Sequence, residues 1–358
     1  MLKMGEPTKQ QMREPTSLPA QRQSLAREVL MFPFTRLLIA GIGASPILSI
    51  GLVAALLAAP FLAGSLGYVF PDVSPSILEL VISEFTLAVA AILTAIVVGK
   101  VIEQRSLTEV GLGRRGLLSN ILQGFGIATA TILLFIVLLI PVVLLGLMPE
   151  ATDSASTNDD FGLLFQALGQ AGGVLSYLGL TLVFACFTAV YEEIVFRGFL
   201  FRIVEEELGS WLALAISSIA FAVAHLGNPL HQSLASVAPQ IALGVALAAA
   251  YMLTRKLWMS IGIHWAWDFI LLAISGGLLT FSDASSEAGI TNLSDTTSVI
   301  VSIPELVLAG VLLALAMRRG QIRLPRWMQG NAIYKKPHLD ESSTPLTKEK
   351  GIEEMANL

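Results

Sequence analysis

Residues 118–147 read LSNILQGFGIATATILLFIVLLIPVVLLGL and contain no Asp, Glu, Lys or Arg. A helix rises about 1.5 Å per residue, so a run of this length outspans the roughly 30 Å hydrocarbon core of a bilayer. Backbone groups in hydrocarbon must pair internally, which leaves helices and closed barrels as spanning structures. Runs this long read as helices. Eight stretches qualify as spans: 46–70, 77–98, 118–147, 172–203, 210–226, 237–254, 257–276 and 298–317. Only 14% of the chain is charged, against about 25% in soluble globular proteins. Mean hydropathy is +0.72. The expected fold class is therefore all-α, a polytopic membrane helix bundle of about eight transmembrane helices.

Orientation follows from the basic residues, which concentrate on cytoplasmic connections. All 22 Lys and Arg fall in the segment before residue 46, in 99–117, at Arg197 and Arg202, at Arg255 and Lys256, and from 318 onward. The connections 71–76, 148–171, 227–236 and 277–297 have none and carry acids such as Asp72, Asp159 and Asp283. This alternation predicts cytoplasmic N and C termini. The expected organisation is a largely disordered cytoplasmic segment over 1–45, a transmembrane bundle over 46–317 and a cytoplasmic tail over 318–358. The tail starts amphipathic (IRLPRWM) and then turns polar. The stretch 100–117 is expected along the inner face. The N-terminal segment does not resemble a cleavable signal peptide. The single cysteine, Cys186, lies in an apolar run and precludes an intrachain disulfide. No basic patch with interleaved aromatics supports nucleic-acid binding.

Ionised groups at bilayer depth are costly and therefore informative. Glu192 and Glu193 stand side by side, with Arg197 four residues after the second. Glu193 and Arg197 share a helix face and can pair, whereas Glu192 points about 100° away. Taken alone, this cluster suits an ion-paired helix end as well as a reaction site. His225 ends the fifth span, with Phe221 one turn earlier; a lone histidine there is more often an interface residue than a ligand. His264 and Asp268 share a face of the seventh span, and a carboxylate behind a histidine orients it for base or ligand duty. The cost of Asp at that depth favours function over a polar helix contact. Glu79 and Glu84 read as the interfacial start of the second span. At Glu305, packing or cavity lining weighs as much as chemistry. His231 and His338 are expected in an outer loop and in the tail.

Depth brings these groups together. Counting along each helix places Glu192, His225, His264 and Asp268 roughly 10–22 Å from the inner ends of three spans. Carboxylates and two histidines converging near mid-membrane can activate water by general base catalysis. They can also hold a Zn²⁺ with an open position.

The motifs EEIVFR (192–197), FAVAH (221–225) and HWAWD (264–268) resemble those of the CAAX prenyl protease and bacteriocin-processing (CPBP, or Abi) family of intramembrane proteases. FRGFLF and the upstream RSLTEVGL also look like that family, and the resemblance covers a core of about 95–275. It implies an intramembrane endopeptidase acting on membrane-associated or lipidated peptides and proteins, prenylated ones included, among membrane lipids. Glu192 would activate water with the help of His225. His264 and Asp268 would stabilise the oxyanion or complete the site, Glu193 would pair with Arg197 and shape it, and Phe221 would pack the motif. The last motif has Asp where the eukaryotic prenyl protease has Asn. The family has been described both as metalloproteases and as glutamate proteases; in the first case zinc would fall to Glu192, His225 and His264. A multi-pass protein of a bacterial plasma membrane is the matching expectation. Two other classes fit a buried polar site: a non-proteolytic immunity or regulatory scaffold of the same fold, and a proton-coupled transporter. Transporters commonly carry internal repeats, and none is evident here.

Overall fold

A computed structural model describes residues 50–51, 53, 57–66, 75–145, 174–226, 237–275, 295–325 and 328. The expected segment 1–45, most of the first span and most of the tail lie outside these residues. The described residues form helices and turns, with no strand among them. The helices are α1 (Pro75–Val97), α2 (Leu117–Leu144), α3 (Val174–Glu193), α4 (Arg202–Ala224), α5 (Val237–Thr254), α6 (Leu257–Ser275) and α7 (Asp295–Arg318). A π-helical turn, Val98–Ile102, extends α1, and a π-helical segment, Ile194–Phe201, joins α3 to α4.

The polarity is inverted relative to a soluble protein. Leu118, Leu122, Leu134 and Leu138 on α2 are exposed, while Glu192, Glu193, Arg197, His264 and Glu305 are buried. Apolar side chains face outward because lipid is as apolar as they are, and costly charges turn inward. Several hydroxyls inside the spans are satisfied locally. Thr86 donates to the Ile82 carbonyl at 2.8 Å, Thr131 to Ile127 at 2.8 Å and Thr181 to Tyr177 at 2.8 Å. Among the described residues, four helical stretches are long and apolar enough to cross a membrane: Ile77–Val101, Leu117–Pro141, Ser176–Ala224 and Val237–Thr254.

The third stretch extends the fourth span beyond its expected end at 203, while the fifth starts at 210 as expected, just after a kink at Gly209. A gap was expected between 203 and 210, where the sequence turns acidic. The chain instead remains helical through it and bends only at Gly209, whose φ of 82° and ψ of 168° leave the helix. Paired charges stabilise the helical link. Arg202 meets Glu103 at 2.5 Å and Glu206 at 3.5 Å, and Arg105 grips both Glu206 oxygens at 2.5 and 3.0 Å. Arg255 meets Glu205 at 2.5 Å. The start of the tail, expected along the membrane surface, crosses this bend. Ser210 N–H donates to the Arg323 carbonyl at 3.0 Å, and Arg323 N–H returns a bond to Ser210 Oγ at 2.9 Å. A Cβ on Gly209 would press on the Arg323 carbonyl and Pro325.

The stretch expected as an amphipathic segment over 100–117 becomes hydrogen-bonded turns after the π turn. It docks on the start of α6. Leu257 N–H donates to the Gly111 carbonyl at 3.0 Å, and the Trp258 indole to Gly113 at 2.7 Å.

Helices α3 and α6 hold the middle of the packing: α3 lies against α1 and α6, and α6 against α2, α3 and α5. Gly124 of α2 and Gly262 of α6 let the two backbones touch. A Cβ on Gly124 would run into the Met259 carbonyl, and one on Gly262 into the Ile121 carbonyl. Gly124→Ala or Gly262→Ala should therefore cost about 1–3 kcal/mol by overpacking. Thermal unfolding in detergent checks this. Gly126→Ala, where a Cβ meets nothing within 4 Å, should leave the unfolding temperature unchanged.

Candidate active site

Four elements supply the site. Helix α3 ends in Glu192 and Glu193, the π segment carries Arg197, α4 ends beside His225, and α6 carries Ser260, His264 and Asp268 one turn apart. The bend at Gly209 aims the second part of α4 so that its end returns to α3. Glu192, Glu193, Arg197, Phe221, His225, His264 and Asp268 come together.

Glu193 is the fixed carboxylate. Arg197 Nη1 lies 2.6 Å from its Oε1, with both side chains fully buried. Ser260 donates a short hydrogen bond to Oε2, and His264 Nδ1 lies 3.2 Å from Oε1. Arg197 also donates to the Gly244 carbonyl of α5 at 3.0 Å. Its guanidinium carbon lies 4.8 Å from the Phe221 ring centroid. Phe221 thus packs the cation and also both imidazoles, with centroids 4.6 Å from His225 and 5.6 Å from His264.

Glu192 is held on one side only. Tyr191 O–H donates to Oε1 at 3.0 Å. The other oxygen, Oε2, is buried without a protein hydrogen-bond partner. It lies 3.9 Å from His225 Nε2 and 3.7 Å from His264 Nε2. His225 Nδ1 lies 2.8 Å from the Phe221 carbonyl. A carbonyl only accepts, so Nδ1 carries a proton for Phe221, and Nε2 is the nitrogen turned toward Glu192. His264 Nε2 lies 3.3 Å from Asp268 Oδ2. Both nitrogens of His264 thus face carboxylates, and a ring donating at both carries a positive charge.

The set does not fit a zinc ion as it stands. Among the described residues no group of three or more His, Cys, Asp or Glu side chains is placed to hold a metal. Ligands about 2.1 Å from a tetrahedral zinc stand roughly 3.4 Å apart, closer than Glu192 stands to either histidine. His264 Nε2 is engaged by Asp268 instead.

Sequence reasoning missed several members. Ser260 lies one turn before His264, and that i,i+4 spacing was the available signal. Tyr191 gave none. Glu84, expected at the membrane interface, instead faces α3, where Thr188 Oγ1 lies 3.3 Å from its Oε2.

Together, the fold and the cluster define an all-helical membrane protein with carboxylates and imidazoles gathered in its interior. Residues 174–270 match the family model described as type II CAAX prenyl endopeptidase Rce1-like. The matched segment contains every motif residue, and the match is consistent with the CPBP family. No curated protein and no solved structure matches the chain.

Proposed function

We propose that the protein is an intramembrane endopeptidase in which Glu192 activates the hydrolytic water. The carrying observation is the unpartnered, buried Glu192 Oε2 beside two imidazole nitrogens. Separations of 3.7 and 3.9 Å exceed a hydrogen bond, and a water admitted by a small side-chain shift, about 2.8 Å from each partner, would bridge them. A water donating to Glu192 and to His225 Nε2 turns a lone pair outward. Its oxygen attacks the substrate carbonyl carbon as Glu192 takes one proton. The charged His264, set by Glu193 and Asp268, stabilises the oxyanion. When the C–N bond breaks, the proton on Glu192 passes to the leaving amine.

The substrates are membrane-associated or lipidated peptides, prenylated C-termini among them, cut near the cytoplasmic face. The Rce1-like match over this segment supports that class. Eight spans with cytoplasmic termini in a bacterial plasma membrane complete the reading.

The test is purified protein in detergent, offered prenylated and unprenylated peptides, with products read by mass spectrometry. Cleavage lost in His225→Ala supports the proposal; cleavage undiminished in that variant overturns it. Substrate uptake by proteoliposomes without cleavage would favour the carrier instead. Because the polar set does not fit zinc, cleavage should persist within about twofold in excess chelator, well short of the 10²–10⁴-fold that loss of a catalytic group costs.

A further inference from the structure

Glu84 sits on α1, outside the three motifs, yet it faces the site. Thr188 of α3 meets it directly, and Tyr191 and Glu192 of α3 and Asp268 of α6 interact with it electrostatically. Thr188 lies one turn before Glu192, so the Glu84–Thr188 contact ties α1 to α3 directly below the proposed base.

The hydroxyl of Thr188 holds a single proton and has two neighbours. The Phe184 carbonyl is 3.1 Å away and Glu84 Oε2 is 3.3 Å away. An ionised Glu84 could only accept, and the single proton would then be shared, less favourably, between two acceptors. A protonated Glu84 satisfies both: its O–H donates to Thr188 Oγ1, and Thr188 donates to the Phe184 carbonyl.

We infer that Glu84 is a positioning residue for Glu192, a neutral carboxylic acid that donates to Thr188 and anchors α3 against α1. The neutral form keeps a further negative charge away from the base while the hydrogen bond fixes the helix that carries it. The kinetic arm of the test rests on the proteolytic reading above; the spectroscopic arm does not.

Infrared difference spectra of the purified full chain, wild type minus Glu84→Gln, should show loss of a protonated-carboxyl band at neutral pH. In Thr188→Val that band should shift, because its acceptor is gone. Loss of carboxylate bands instead would overturn the proposal. In the cleavage assay, Glu84→Ala should lower kcat about tenfold through misplacement of the base, with KM within about twofold. Glu84→Gln, which still donates to Thr188, should restore most of the loss. A wild-type kcat in Glu84→Ala, or a Gln variant as impaired as the Ala variant, would overturn it. If Glu84→Ala fails to fold, Thr188→Val takes its place and should show the same fall in kcat. A wild-type chain that cleaves nothing would sink the proteolytic reading and leave the infrared band to decide this one.

Discussion

Glu192→Gln should lower kcat for peptide cleavage by about 10²–10⁴-fold, the range that a general base contributes. The glutamine keeps the size of the side chain and the bond from Tyr191, which donates to Oε1 at 3.0 Å. It loses the anionic Oε2 that faces His225 and His264. An amide can hold a water there but cannot take its proton. KM should change little, because the substrate is still bound. The unfolding temperature should not fall, since a buried carboxylate oxygen without a protein partner is exchanged for a neutral group. Rate and stability therefore separate in this variant. Full activity in Glu192→Gln would remove the base from the mechanism, and an unfolded variant would make Glu192 structural.

Arg197→Met should be the most destabilising single change at the site, by about 3–5 kcal/mol, because it strands a partner charge in the interior. Arg197 and Glu193 are both fully buried at 2.6 Å. Without the guanidinium, Glu193 retains Ser260 and His264 but loses its countercharge. Phe221 loses the cation over its ring, and Gly244 loses its side-chain donor. Lysine is a poor substitute, since one ammonium cannot span Glu193 and the Gly244 carbonyl as the planar fork does. Glu193→Gln combined with Arg197→Met should regain part of the loss, because the stranded charge is then gone. Thermal unfolding in one detergent, run across the single and double variants, measures this coupling. An unchanged melting curve for Arg197→Met would mean that the pair contributes nothing to the fold.

Much of the architecture was legible in the chain because bilayer chemistry is severe. Apolar runs such as 118–147 have few folded states open to them. The i,i+4 spacings of Glu193 with Arg197 and of His264 with Asp268 could be read directly, since a helix sets them locally. Other features left no such trace. The π geometry of Ile194–Phe201 leaves the composition of an apolar helix unaltered, and π turns recur at functional sites. The acidic 204–209 stretch looked like a connection because the partners of Glu206 and Glu205, Arg105 and Arg255, lie far away in sequence. Glu84 looked interfacial because its depth was counted along its own helix, without the helix packed against it.

By itself, then, the sequence determined that apolar runs form helices, that these belong in a membrane and which polar residues share a face within one helix. These are consequences of apolar length and of the helical repeat, and both are local. Only the tertiary structure decided which glutamate is fixed and which oxygen is left without a protein partner. That outcome depends on where α4 returns after the Gly209 bend, how closely α2 and α6 approach at two glycines and which side chains from α1 and α6 reach α3. Contacts between helices set those distances, and no periodicity within one helix encodes them.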